Sequence, residues 1–337
     1  MTTKLLRALC LILTTALPLS AVASYAQHQE ALRFAREMEQ THGFDAAQLL
    51  QTLGRTSRDE RVIRLISPPT KPGTRSWQRY RERFVEARRI EGGVAFWEAH
   101  APIVAAASTR YGIPGEIIVA IIGVETHYGS HTGSFETASA LATLAFDYPP
   151  RAELFRRELE QLFLLAREQQ RDPLSYTGSY AGALGYGQFL PSSIRRYAVD
   201  FDDDGRVDLE NSPGDAIGSV ANYLAMHGWR AGEPIAVPVR LPPDLDPVPL
   251  IDAGIEPALT PASIATSGIT PHRGELYADA ATLVDLATPA APTEYWLGYR
   301  NFYVITRYNR SSFYAMSVFE LAEAIRARYE SRHPAQR

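Results

Sequence analysis

The sequence predicts a mainly α (α+β) protein with a smaller β-rich region late in the chain. Three observations carry this. Segments of helical period and length recur from Gln27 to His227. From Glu233 to Pro292 that period vanishes, and prolines with Val-Pro alternation replace it. Ser317 to Arg328 then reads as a closing helix. With 337 residues, 45% of them hydrophobic and 21% charged, the chain has ample material for a buried core.

Met1 to Arg7 carries Lys4 and Arg7 and no acid, and Ala8 to Leu19 is an apolar run of signal-peptide length. Ala21-Val22-Ala23 and Ser24-Tyr25-Ala26 are both small-x-small cleavage patterns. Residues 1–26 are therefore expected to be a secretory signal, with a periplasmic mature protein. Cys10, the only cysteine, lies near the start of the apolar run and behind Arg7-Ala8-Leu9. A lipid-anchored cysteine would follow a small residue at the end of such a run, so no lipid anchor is expected. A mature chain without cysteine has no disulfide or thiol chemistry. Without the leader, 32 basic and 38 acidic residues remain. An acidic chain of this kind is a poor partner for nucleic acid.

Gln27 to Gly43 has Leu32, Ala35 and Met38 on one side, with Gly43 as a stop. Asp45 is placed to cap a second helix running through Leu53. The segment Pro68-Pro69-Thr70-Lys71-Pro72-Gly73 reads as a linker. Trp77 to Glu91 reads as a charged helix ended by Gly92 and Gly93, and Val94 to Tyr111 as another, ended by Gly112. Pro114 opens the most apolar helix. Ala152 to Gln170 is amphipathic, and Ser192–Val199 and Asp215–His227 read as short helices. In the later region Val237, Val239, Leu241, Leu276 and Tyr277 look core-forming, although a Pro-Ala linker fits the same composition. Tyr295 to Tyr308 is aromatic and β-branched, and reads as a strand.

Eight non-polar residues, Ile117 to Val124, precede Glu125. A helix apolar on nearly every face is buried, and apolar walls hold a carboxyl in its neutral form. The helix C-terminus pushes the same way. Such a glutamate can carry a proton near neutral pH and deliver it to a leaving oxygen. On the local residues alone, an ordinary solvated helix end is the leading reading. His127 stands without a second histidine at zinc-protease spacing. In Gly182-Ala183-Leu184-Gly185-Tyr186-Gly187-Gln188, three glycines allow close backbone approach, and Gln188 can donate and accept as an N-acetyl group requires. A purely structural loop is the competing reading.

Asp200-Phe201-Asp202-Asp203-Asp204-Gly205-Arg206-Val207-Asp208 matches the first nine positions of a calcium loop. Position twelve is Asn211 rather than Glu, and Asp215 is the nearest acid that could supply a bidentate ligand. A solvated acidic turn remains the alternative. Tyr308 and Asn309, at the end of the aromatic segment, are candidates for a cleft wall.

Taken in order, these segments resemble the lytic murein transglycosylase B family. The match runs through Tyr111–Pro114, Ile121–Thr126, Gly185–Ser193, the aspartate loop, Asp215–Tyr223 and Ile305–Asn309. The resemblance implies a lysozyme-like core at 106–231 and a flanking α domain at 27–105 completed by 310–337. It also implies a small β-rich region at 232–309. It implies cleavage between N-acetylmuramic acid and N-acetylglucosamine of peptidoglycan, leaving a 1,6-anhydro end, with Glu125 as the single acid and base. Carried over as cleft residues are Tyr80, Arg151, Ser179, Gln188, Tyr223, Tyr308, Asn309 and Tyr314. The family's calcium site would fall on Asp200, Asp202, Asp204, the Arg206 carbonyl and Asp215, with calcium structural and no organic cofactor. Glycan strands, and with them other cell-wall enzymes, are the implied partners of a monomer. Pro150 stands where a second basic residue would accompany Arg151, which weakens contacts to an acidic or peptide part of the substrate. A lysozyme-type hydrolase, with Asp147 or Glu136 as second carboxylate, is the rival chemistry, and an inactive peptidoglycan-binding protein the rival class.

Overall fold

The computed structural model describes residues 24–68 and 73–334. The leader before Ser24 and the centre of the Pro-rich linker lie outside the described residues. The chain opens with α1 (Gln29–His42), α2 (Ala46–Leu53), α3 (Glu60–Ile66), α4 (Trp77–Arg81), α5 (Ala87–Ala99), α6 (Ala101–Tyr111) and α7 (Gly115–Thr126). Then come β1 (Phe135–Glu136), α8 (Thr137–Asp147), α9 (Ala152–Glu168), β2 (Thr177–Gly178), α10 (Pro191–Tyr197) and α11 (Pro213–Met226). The β-rich region follows as β3 (Ala236–Arg240), α12 (Val248–Asp252), α13 (Pro261–Thr266), β4 (Thr270–Pro271), β5 (Thr282–Leu286) and β6 (Glu294–Gly298). The chain closes with α14 (Arg300–Ile305) and α15 (Ser312–Arg332). The mainly helical α+β class is thus as expected. No helix among the described residues is long and apolar enough to cross a membrane.

Caps set many of the helix ends where the residues indicate. Asp45 accepts from the N–H groups of Ala47 and Gln48 to start α2. Gly43 and Gly112, both left-handed, end α1 and α6. One apolar core runs from Tyr25 to Ile325, so the expected boundary near residue 105 divides the chain but not the core. Helix α15 packs against α4, α5 and α7, and so returns the C-terminal part of the chain to the middle of the fold.

Gly92 and Gly93 do not end a helix. They lie inside α5, where a bare backbone lets the Tyr128 ring and α15 come close. A Cβ on Gly93 would meet Ile325 Cδ1 at 2.5 Å and the Tyr128 hydroxyl at 2.6 Å. The helix expected from Trp77 to Glu91 breaks after α4, because the Glu86 carboxylate caps a new helix through the N–H groups of Arg88 and Arg89. Helix α8 has no counterpart in the sequence pattern. Nine of its residues, Thr137, Ala138 and Ala140 to Phe146, are buried, so it shows no polar face and no period.

The β-rich region is an antiparallel four-stranded sheet in the order β4-β3-β6-β5, with Val239 opposite Pro271, Val237 opposite Leu297 and Val284 opposite Trp296. Its faces serve two cores. Val239, Leu283 and Leu297 pack on Ile264 and Ile269 in a local core. Val284, Leu286 and Trp296 belong to the main core, and Trp296 meets Phe319 of α15 edge-on at 6.1 Å. Of the residues expected to form the local core, Tyr277 is half exposed. The strand expected over 295–308 holds only to Gly298. From Arg300 the chain turns into α14, whose Phe302, Val304 and Ile305 are fully buried in the main core. Aromatic and β-branched composition predicts burial here better than it predicts strand.

Gly93→Ala should lower the melting temperature by roughly 2 °C, since overpacking outweighs the gain in helix propensity. Thermal denaturation followed by circular dichroism checks it. An unchanged melt would mean that α5 and α15 can move apart freely.

Candidate active site

Helix α7 is buried along nearly its whole length, and Glu125 is the residue of its last turn that reaches partly exposed space. Burial pushes its carboxyl up to about 7, opposed by the Tyr314 hydroxyl, which donates to Glu125 Oε1 at 2.6 Å. The helix C-terminus contributes less than the sequence suggests. The Arg89 guanidinium donates to the Gly123 carbonyl at 2.5 Å, and the His127 N–H bonds the same oxygen. These partners offset the negative end of α7. Desolvation is therefore the main cause of the raised carboxyl.

Beyond Glu125 the backbone reverses through His127, Tyr128 and Gly129, all three with positive φ. Two consecutive non-glycine residues there are costly, and the surroundings hold them. The Thr126 hydroxyl donates to the Tyr186 carbonyl at 2.9 Å and accepts from the Gly129 N–H at 3.0 Å. The Tyr128 hydroxyl donates to the Arg89 carbonyl at 2.7 Å. A Cβ at Gly129 would lie 2.1 Å from Tyr186 Cε1, so only glycine lets the ring cross. Glu125 is thus anchored to α5, to α15 and to the loop of residues 178–189.

Four of the expected cleft tyrosines gather around this carboxyl. Tyr80, Tyr223, Tyr308 and Tyr314 are pushed up first by burial, and each is raised further by the charge of Glu125. Tyr223 donates to the Arg307 carbonyl at 2.7 Å and lies 4.6 Å from the Tyr308 ring. The Tyr308 hydroxyl is buried without a hydrogen-bond partner. A group of this kind asks for one.

Gln188 behaves differently from its expected role. With a left-handed backbone, φ 49°, it spends its amide nitrogen on the carbonyls of Thr132 at 3.0 Å and Gly185 at 3.1 Å. What it can offer a ligand is its carbonyl oxygen, an acceptor for an acetamido N–H. Ser179 accepts from the Ala183 N–H at 3.1 Å and keeps its own proton to give. Asn309 is exposed beside Tyr308. Arg151 is not drawn to the tyrosine cluster. It is exposed, with its guanidinium over the Phe155 ring at 5.2 Å.

Neither acid weighed as a second carboxylate acts on Glu125. Asp147 accepts from the Tyr25 hydroxyl and lies near His28 and Arg58, and Glu136 is exposed and accepts from the Ser139 hydroxyl. Thr126 and Arg89 went unread in the sequence. A threonine beside a glutamate and an arginine on a charged helix carry no signal before the loops are placed.

In the aspartate loop, carboxylate oxygens of Asp200, Asp202 and Asp204 lie within 4.8 Å of one another. Among the described residues no basic side chain pairs with them. Hard oxygens held together against their own repulsion suit calcium. Asp215 lies outside this trio. It is buried, and its two oxygens accept from the N–H groups of Phe201 at 2.8 Å and Asp208 at 2.7 Å. It therefore fastens the two ends of the loop, and the charge of Asp202 still acts on it. Asn211 is occupied with the Asp208 carboxylate. The donor set fits a hard cation through Asp200, Asp202 and Asp204, with further oxygens needed to fill its shell.

The family model for the transglycosylase SLT domain matches residues 26–323. The chain is 42% identical over 310 residues to membrane-bound lytic murein transglycosylase B of Escherichia coli, covering 89% of this chain and 84% of that protein. Its fold superposes on the soluble lytic transglycosylase SltB1 of Pseudomonas aeruginosa with a TM-score of 0.82 at 45% identity, covering 89% and 99% of the two chains. The Escherichia coli lytic transglycosylase Slt35, solved in complex with calcium, matches with a TM-score of 0.82 at 42% identity, over 91% and 96% of the chains. SltB3 of Pseudomonas aeruginosa, solved with NAG-anhNAM-pentapeptide, matches with a TM-score of 0.76 at 32% identity, over 89% and 80%. By sequence and by lysozyme-like fold alike, the chain belongs to the lytic murein transglycosylase family, enzymes that act on peptidoglycan.

Proposed function

We propose that this transglycosylase cuts the bond between N-acetylmuramic acid and N-acetylglucosamine by transfer within the muramyl residue, with Glu125 as acid and then base. The observation that carries this reading is the lone glutamate, raised to about 7 by burial, with no second carboxylate acting on it. Among the described residues no carboxylate charge acts on Glu125, which supports a one-carboxylate route over a two-carboxylate glycosidase. Glu125 gives its proton to the bridging oxygen as the C1–O bond breaks, and the N-acetyl oxygen supports the cation left at C1. The Glu125 carboxylate then takes the C6 hydroxyl proton while O6 bonds to C1. No water is consumed, and the product is a 1,6-anhydromuramyl end. The anhydro sugar bound by SltB3 is the product this path predicts.

Tyr314 holds Glu125 in position. The free acceptor of Gln188, the hydroxyl of Ser179 and the side chain of Asn309 are the groups to orient N-acetyl substituents. Arg151 and Asn309, at the rim, reach outer parts of the substrate. Asp200, Asp202 and Asp204, with the Arg206 carbonyl, would hold calcium as a structural ion, in keeping with the calcium of Slt35. The basic start and apolar run of residues 1–19 support export to the periplasm, where the substrate lies.

Glu125→Gln should lower turnover of purified sacculi by roughly 10²–10⁴-fold while glycan binding persists. Equal cleavage would remove Glu125 from the mechanism, and free reducing ends in the wild-type digest would make the enzyme a hydrolase. The same variant has a stability signature. A carboxyl raised in the folded state costs stability as pH climbs from the ordinary carboxylate range through about 7. Glu125→Gln should thus melt at higher temperature than wild type at pH 8 and at the same temperature at pH 4.

Tyr314→Phe removes a hydrogen bond that favours the charged carboxylate. The alkaline limb of the pH–rate profile should move to higher pH, and an acid shift would contradict the assigned donor. Chelation should lower the melting temperature of the wild type and leave that of Asp204→Asn unchanged. Equal melts with and without chelator in the wild type would rule out a structural ion.

A further inference from the structure

Two cleavage patterns compete at the end of the leader, and sequence rules treat them alike. Ala21-Val22-Ala23 and Ser24-Tyr25-Ala26 both put small residues at the first and third positions before a cut. The fold separates them. From the structure we infer that the mature chain begins at Ser24, with the leader cut between Ala23 and Ser24, and that Tyr25 is a core residue the fold cannot spare. This rests on the reading that residues 1–23 are an export signal.

Tyr25 is only 2% exposed. It sits in a short 3₁₀ turn, Tyr25–Gln27, capped by the Ser24 hydroxyl, which accepts from the Ala26 N–H. Its ring stands edge-on to Phe146 at 5.3 Å and to His28 at 5.6 Å, joining the aromatic group that includes Phe34. Its hydroxyl donates to Asp147 Oδ2, and burial together with that carboxylate pushes the phenol well up. Ser24 adds a second attachment. Its hydroxyl donates to the Gly54 carbonyl at 2.9 Å, and its backbone bridges to Ser57. Residues 24–26 thus bind α2, the turn that follows it and the end of α8.

A cut after Ala26 would strip all of this away. It would empty a tyrosine-sized site beside Phe146 and take the phenol from Asp147, a carboxylate only 15% exposed. His28 at 3.7 Å and Arg58 at 3.5 Å would remain as its partners, both beyond ordinary hydrogen-bond length. Asp147 ends α8 and precedes the Tyr148–Arg151 turn, so the loss would also loosen the segment that carries Arg151. A cut after Ala23 removes none of these contacts. The expected boundary at residue 26 therefore moves to 23.

The test is N-terminal sequencing of the protein exported by a bacterial host from the full chain. Ser24 is expected as first residue, and Ala23→Leu should block or retard processing while Ala26→Leu leaves the same cut. A first residue of Gln27 would overturn the inference while leaving export intact. A chain kept inside the host cell and still starting at Met1 would overturn the export reading and this inference with it. A protein made to start at Gln27 should melt roughly 5 °C below one starting at Ser24, as expected for loss of a buried aromatic side chain. An equal melt would show Tyr25 to be dispensable. Tyr25→Phe separates the two contributions, keeping the ring and losing the bond to Asp147, and should fall between them.

Discussion

A carboxyl has been taken out of water at the end of α7, and much of the fold serves to keep it there. Desolvation sets its proton affinity, and desolvation depends on walls that do not move. Those walls come from chain segments far apart: Tyr80 from α4, Tyr223 from α11, and Tyr308 and Tyr314 around the start of α15. The hydroxyl of Tyr314 is the one direct bond to the carboxyl that opposes burial. Without such a donor the charged form, which the proposed reaction calls on in its second half, would be harder to reach. With too many donors the proton that the proposal spends in the first half would be lost. One hydrogen bond in an otherwise unresponsive wall is a compromise between the two demands.

Close packing of helices supplies the rigidity. The Tyr128 ring lies where Gly92, Gly93 and Gly123 have no side chains, and Arg89 ties α5 to the last turn of α7. The site is thereby held from behind by contacts that touch no substrate. The polar loop in front is fixed in the same manner. Thr126 binds the Tyr186 carbonyl, and Gln188 binds the Thr132 and Gly185 carbonyls, so the acceptor left on Gln188 is aimed before a ligand arrives.

The helical class, the capped starts and stops of α1 and α2, and the apolar helix ending in Glu125 were legible because each has a local cause. A side-chain cap, a left-handed glycine or an unbroken apolar run speaks for itself in the sequence. Other elements were hidden for equally physical reasons. Helix α8 is buried nearly all round and shows no period. Gly92 and Gly93 look like stops until Tyr128 and Ile325 are seen to fill their space. Helix α14 has strand composition because it is buried, whatever its backbone does. At the site, Glu125 and its tyrosines could be named, but the division of labour could not. That Asp215 fastens a loop, and that Gln188 has one free end, depends on hydrogen bonds between segments whose meeting the sequence does not display.

The return of α15 to the centre of the molecule bears on when this enzyme becomes active. Glu125 and Tyr314 are 189 residues apart in the chain, and the core around them closes only when α15 docks. Contacts of such sequence separation form late, after the entropy of a long loop has been met. Until α15 docks, the Glu125 carboxyl lacks both its Tyr314 partner and part of the wall that desolvates it. The surroundings that raise the carboxyl's proton affinity are thus complete only once the last long helix of the chain is in place.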